Sequence, residues 1–285
     1  MSRKGWGLFI AMSLIWGIPY LLIKIAVEGV SVPVLVFARV AVGAAILLPL
    51  ALSRRTWVLV RTHWPALLGF AVFEIIAAWW LLADAERHLT SSLTGLLIAA
   101  APIFAALLDR ATGGEKLSGT RIVGLAVGIA GVAALAGPHL RGSTWPIIQV
   151  LLVALCYAIA PLIAARRLAD VPALPMTAVC LTFAAVVYAA PAAATWPAQT
   201  PSTDVLLALA GLAVVCTALA FIVFFALIRE VGPARALVFT YVNPAVALVA
   251  GVVVLDEPLT VWSVMGLILI VAGCLSATSP AERRP

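Results

Sequence analysis

Long apolar runs separated by short polar breaks account for nearly the whole chain. Ten such runs of roughly 18 to 25 residues are each long enough to cross a bilayer as a helix. The first five are at 5–27, 33–52, 64–85, 91–108 and 118–136. The other five are at 144–165, 174–194, 204–228, 234–255 and 260–277. The breaks carry Pro, Gly or charge, as interhelical turns do. No period-2 alternation competes with this pattern, so the predicted fold is an all-α integral membrane protein of ten transmembrane helices.

Composition sharpens that reading. Of 285 residues, 64% are hydrophobic and 11% charged, against about a quarter charged in soluble domains. The Lys and Arg distribution sets the orientation. With the N-terminus inside, fourteen of the 18 basic residues fall on the cytoplasmic side; Lys24, Arg87 and Arg141 are external and Arg39 is within helix 2. Both termini are therefore predicted to be cytoplasmic. The net charge of +6 is spread singly or in pairs between apolar runs, which argues against nucleic-acid binding. The basic start followed by an apolar run is read as helix 1 rather than a signal peptide.

Sliding the chain against itself by 142 residues aligns Pro19 with Pro161, Lys24 with Arg166, Pro33 with Pro175, Arg87 with Arg229 and Pro102 with Pro244. Glu115 and Leu117 meet Glu257 and Leu259, and Gly124 and Gly131 meet Gly266 and Gly273. This predicts two five-helix repeats, residues 1–142 and 143–285. Five is odd, so the second enters the membrane from the opposite side. Inverted repeats are a hallmark of secondary transporters, whose substrate site lies between the halves near the midplane.

The sequence Trp16-Gly17-Ile18-Pro19-Tyr20 followed by Lys24, Arg39 after Pro33, and Tyr241-Val242-Asn243-Pro244 followed by Leu255-Asp256-Glu257-Pro258-Leu259-Thr260 resemble the drug/metabolite transporter superfamily, specifically its ten-helix EamA-type members. Gly114-Glu115-Lys116-Leu117-Ser118 resembles the corresponding piece of a first repeat. The resemblance covers essentially the whole chain. It implies export or exchange of amino acids, related metabolites or amphipathic compounds in the bacterial inner membrane. Ile18, where the family carries a small hydroxyl residue, and Glu74 and Asp84 depart from the general pattern.

Candidate site residues follow from cost in lipid. Arg39 lies six residues into helix 2, about 9 Å below its external end. A charge at that depth faces the bundle interior and marks a functional site or an ion pair with Glu74 or Asp84. Glu74 is the deepest acid and the candidate proton carrier, since desolvation favours the neutral carboxyl. Trp16, Tyr20, Trp79, Trp80, Tyr157, Tyr241 and Asn243 are candidates to line an amphipathic pocket or to bond helix to helix. Gly17, Pro19, Pro102, Pro161 and Pro244 are candidate hinges. Gly124 and Gly128 predict close helix packing. Glu115 and Glu257 are placed at the starts of helices 5 and 10, where a carboxylate complements the helix dipole.

Cys156, Cys180, Cys216 and Cys274 read as buried thiols, and His63, His88 and His139 stand far apart, so no metal or other cofactor is expected. The chain carries no GxxxxGK[ST] loop, which excludes direct ATP hydrolysis. The alternatives to a transporter are a membrane-embedded enzyme, for which a polar catalytic cluster is lacking, and a scaffold or sensor, for which the short C-terminal tail leaves no output domain. The expected partners are a small-molecule substrate, membrane lipid and protons as coupling ion, with the fused repeats working as a monomer.

Overall fold

The computed structural model describes residues 1–51, 53–113, 119–137 and 144–278, and these form helices and turns, with no strand among them. In chain order the elements are α1 (Arg3–Ile15), α2 (Pro19–Ala26), α3 (Val32–Ala51), α4 (Arg54–Ala71), a π-helical segment (Val72–Ile76) and α5 (Ala77–Glu86). α6 (Ser91–Ile98), α7 (Ala101–Ala111), α8 (Gly119–Ala136), α9 (Trp145–Arg167) and α10 (Ala173–Ala194) follow. The chain closes with α11 (Thr203–Ala210), a second π-helical segment (Gly211–Leu219), α12 (Ala220–Val231), α13 (Pro233–Ala236), a 3-10 turn (Leu237–Tyr241), α14 (Asn243–Val254) and α15 (Val261–Thr278).

Eight helical stretches are long and apolar enough to cross a membrane: Arg3–Ala26, Val32–Ala51, Val60–Glu86, Ser91–Ala111, Gly119–Ala136, Trp145–Arg167, Ala173–Ala194 and Thr203–Val231. The apolar helices Asn243–Val254 and Val261–Ser276 are shorter. The chain is a multi-pass membrane protein. The expected helix at 234–255 is divided, because Pro244 lacks the N–H that would continue the ladder and its ring crowds the preceding turn. The helix expected from Trp64 begins instead at Arg54, with Ser53 Oγ accepting from the Thr56 N–H at 3.0 Å. Its first turns are too polar to register in an apolar run.

The chain is also interrupted between α1 and α2, at Gly17 and Pro19, and between α6 and α7, just before Pro102. A Cβ on Gly17 would collide with Val246 of α14, so the first break is a point of close helix approach. α9 by contrast runs through Pro161 without interruption.

The two π-helical segments leave carbonyls without regular partners, and side-chain hydroxyls take them up. Tyr188 of α10 donates to the Ile76 carbonyl at 2.5 Å, and Thr217 donates to the Leu212 carbonyl at 2.8 Å.

α3 packs along α10, α5 on α9, α6 on α14, α1 on α12 and α2 on α11. The main core lies where α2, α3, α5, α9, α10 and the second π-helical segment converge. α8 and α15 form the closest pair. A Cβ on Gly273 would overlap the Gly128 backbone, and one on Gly266 would overlap Leu135. Glycine here allows backbones to touch where lipid supplies no hydrophobic drive.

Candidate functional site

Arg39 is the centre of the candidate site. Its side chain leaves α3 into the bundle, where the residue is 6% exposed. The Nε–H donates to Thr217 Oγ1 at 2.9 Å, and the guanidinium stacks over the Trp79 ring, 3.6 Å from the centroid. Thr217 passes its own proton on to the Leu212 carbonyl, so one oriented chain runs from the cation into the second π-helical segment. Tyr20 of α2, Tyr157 of α9 and Cys216 lie within electrostatic reach of the guanidinium.

The expected ion pair of Arg39 with Glu74 or Asp84 does not form. Among the described residues the salt bridges are Lys4–Glu230 and Arg87–Asp84, at 3.5 and 3.4 Å. Arg39 therefore has an aromatic face and a hydroxyl for company, and no carboxylate within ion-pair distance among the described residues. A desolvated cation–π contact contributes about 2 kcal/mol, and a hydrogen bond to a charged group roughly 1.5–3 kcal/mol. Burying one ion costs several kcal/mol. These two contacts are what the buried guanidinium has to offset that cost.

Glu74 lies in the first π-helical segment, half-buried, facing Cys156 and Tyr157 of α9 and Cys180 of α10. No described residue makes a hydrogen bond or ion pair with its carboxyl. Tyr157 is within electrostatic reach of both Glu74 and Arg39.

The remaining candidates separate into other groups. Trp80 points away from Trp79 and stacks on Tyr188, with centroids 5.9 Å apart and planes at 11°. Trp16 belongs to an aromatic cluster with Phe221, Phe224 and Phe239. Asn243 adjoins that cluster, its amide nitrogen donating to the Ser13 and Phe239 carbonyls at 3.2 and 3.1 Å. Tyr241 packs against the core around α6, α9 and α15. Asp84 accepts from Gln149 Nε2 at 2.8 Å and pairs with the exposed Arg87, at the end of the bundle remote from the N-terminus.

Sequence reasoning missed the polar structure around the α5–α6 corner. Lys24 of α2 donates to the Glu86 and Leu89 carbonyls at 2.8 and 2.9 Å, closing the C-terminal end of α5. Glu257, expected at its own helix, instead accepts from the Ser91 and Ser92 N–H groups at 2.7 and 2.9 Å, at the N-terminus of α6. Thr90 Oγ1 takes the next amide, Leu93, so the first turn of α6 is satisfied. The carboxylate does complement a helix dipole, but across the bundle rather than in its own helix. Glu115 lies outside the described residues. The sequence held one signal here: Lys24 recurs as Arg166 in the repeat.

Comparison with known proteins agrees with this architecture. The profile of the EamA-like transporter family matches residues 3–137 and again 144–279. The chain is 29% identical over 276 residues to the uncharacterized inner membrane transporter YedA of Escherichia coli K12, covering 92% of this chain and 87% of that one. It is 26% identical to the uncharacterized transporter YvbV of Bacillus subtilis 168, covering 95% and 90%. A probable terminal-alkyne amino-acid exporter of Streptantibioticus cattleyicolor is 28% identical over 162 residues, 54% of this chain and 52% of that protein. One crystal structure superposes with a TM-score of 0.70 at 20% identity, covering 99% of this chain and all of that one, which is a likeness of fold.

Proposed function

Since the chain belongs to the EamA-like transporter family, we propose that it is a secondary transporter, not an enzyme, that exports or exchanges small amino-acid-like metabolites across the bacterial inner membrane. The buried Arg39, held by Thr217 and Trp79 with no carboxylate in ion-pair contact, is the observation that carries this reading. The guanidinium fork is suited to a carboxylate, and Trp79, Tyr20 and Tyr157 offer an amphipathic wall. Glu74, within electrostatic reach of Tyr157, would meet an ammonium group. A zwitterion bound this way neutralises both charges while it crosses the bilayer. The amino-acid exporter among the relatives supports the same class.

The movement we propose is alternating access between two inverted five-helix repeats, in a monomer of ten spans with both termini cytoplasmic. Two observations support the repeat. The family profile matches the chain twice, and, at the offset of 142, the π-helical segment Val72–Ile76 falls on 214–218, inside Gly211–Leu219. The breaks at Gly17–Pro19, before Pro102 and before Pro244 are the points at which the halves would flex. Pro161 is left out of that set, as its helix is continuous.

Ligand-induced stabilisation of the detergent-purified protein tests the site. A panel of α-amino acids is compared with the corresponding amines, which lack the carboxylate. A ligand at 100 times its Kd stabilises the folded state by about 2.7 kcal/mol. The expected result is a raised melting temperature with one or more amino acids, absent with the paired amines and absent in Arg39→Gln. Equal stabilisation of Arg39→Gln would remove Arg39 from the site.

A further inference from the structure

Glu86, the last residue of α5, is fully buried at 0% exposure, and neither carboxyl oxygen has a hydrogen-bond partner. The Ser91 hydroxyl, also buried at the same corner, has none either. The charged and titratable groups facing Glu86 are Lys24 and Tyr20 from α2, Arg39 from α3 and Glu257 from the turn after α14. α6 and α9, which also pack on α5, bring the uncharged Ser91, Ser92 and Gln149 to this end of it. Asp84 is engaged by both Arg87 and Gln149.

Neither nearby cation is paired with the Glu86 carboxyl. Lys24 spends its donors on the backbone carbonyls of Glu86 and Leu89, and Arg39 Nε is given to Thr217. An ionised carboxylate enclosed without hydrogen bonds carries a desolvation cost of several kcal/mol, and a second carboxylate, Glu257, adds to it. Glu257 itself is in the opposite situation, because two helix N-terminal amides stabilise its charge. Two acids thus share one corner: Glu257 is held by two backbone amides, and Glu86 is enclosed without a hydrogen-bond partner.

The corner also ties this end of the bundle together. Lys24 and Glu257 come from the two ends of the sequence, and both fasten the α5–α6 turn, one at the end of α5 and the other at the start of α6. By the Lys and Arg distribution this is the external end.

We propose that Glu86 is a proton-binding site coupled to the external closure: the shut end encloses the protonated acid, and loss of that proton to water requires the corner to open and releases the Glu257 clamp on α6. Glu86 thereby takes the coupling role that the sequence alone assigned to Glu74. The inference extends the transporter reading, but its test needs no substrate and can fail while that reading stands.

Cys216 reports on opening, since it lies buried beside Arg39. In a Cys156→Ala, Cys180→Ala, Cys274→Ala background, intact cells are treated with a membrane-impermeant maleimide across a range of external pH. Thiol ionisation is common to all variants, so labelling is expressed relative to Glu86→Gln, which mimics the protonated acid. The expected ratio rises towards alkaline pH by up to about tenfold per pH unit, the limit for one linked proton. Glu74→Gln retains that rise, and Glu257→Gln labels more readily than the parent at acidic pH. A second measurement covers a misfolded variant: the infrared spectrum of the purified protein loses one protonated-carboxyl carbonyl band in Glu86→Gln. A flat ratio across pH, or an unchanged infrared band, would overturn the proposal.

Discussion

At the scale of single residues, the site depends on what surrounds Arg39. The guanidinium lies over the Trp79 ring with its Nε given to Thr217, and the proposed ligand would take the terminal nitrogens. An ammonium cannot reproduce that arrangement, since it has neither the planar face nor the fork. Arg39→Lys is therefore expected to keep the fold and to weaken carboxylate binding by at least about tenfold, or about 1.4 kcal/mol, in the ligand-stabilisation assay. Trp79→Leu keeps an apolar side chain but removes the ring face, and is expected to cost about 2 kcal/mol of stability without ligand, read as a lower melting temperature. Arg39 was legible in the sequence because a charge inside an apolar run is conspicuous. Thr217 was not, because its counterpart in the repeat is Ile75 and a lone Thr in a membrane helix is unremarkable. Glu86 was hidden for a different reason: at the end of an apolar run an acid reads as part of a solvated loop, and only the packing of α2, α6 and the turn after α14 encloses it.

At the scale of elements, hydropathy located the helices, but it could not locate what happens within them. Proline and glycine signalled three of the interruptions, at Gly17–Pro19, Pro102 and Pro244, because each removes a hydrogen bond or a side chain that a regular helix uses. The π-helical segments gave no signal, since one extra residue per turn leaves composition and period almost unchanged. The pairing of α8 with α15 was half legible. Gly124 and Gly128 announced a close approach, while the partner glycines of α15 were visible only as repeat matches. Gly273→Val places two methyl groups against the Gly128 backbone and is expected to cost about 1–3 kcal/mol, seen as a fall in melting temperature in detergent. Glu257→Gln keeps acceptor and donor atoms but removes the charge at the α6 N-terminus. Its expected cost is about 1–2 kcal/mol by the same measurement, the upper range for a partly buried dipole contact.

At the scale of the molecule, the two ends of the bundle differ. The end carrying the N-terminus is tied by Ser2 and Lys4 to the exposed Glu230, with Ser2 Oγ donating at 2.6 Å, whereas the other end is tied by the half-buried Lys24 and the buried Glu257. Salt and water weaken the first more readily than the second. The topology behind this picture predicts that reporter fusions at both termini are cytoplasmic and that one placed within 137–144 is external. Termini found on opposite faces of the membrane would contradict the inverted repeat. The central claim, a carrier whose cargo is held at Arg39, is tested most directly by its product. Cells overproducing the protein and cells overproducing Arg39→Ala to the same level are grown in parallel, and their media are profiled by mass spectrometry. Selective accumulation of a few carboxylate-bearing metabolites outside the cells with the parent protein alone is the predicted result. Accumulation of the same compounds to the same extent with Arg39→Ala would contradict the account.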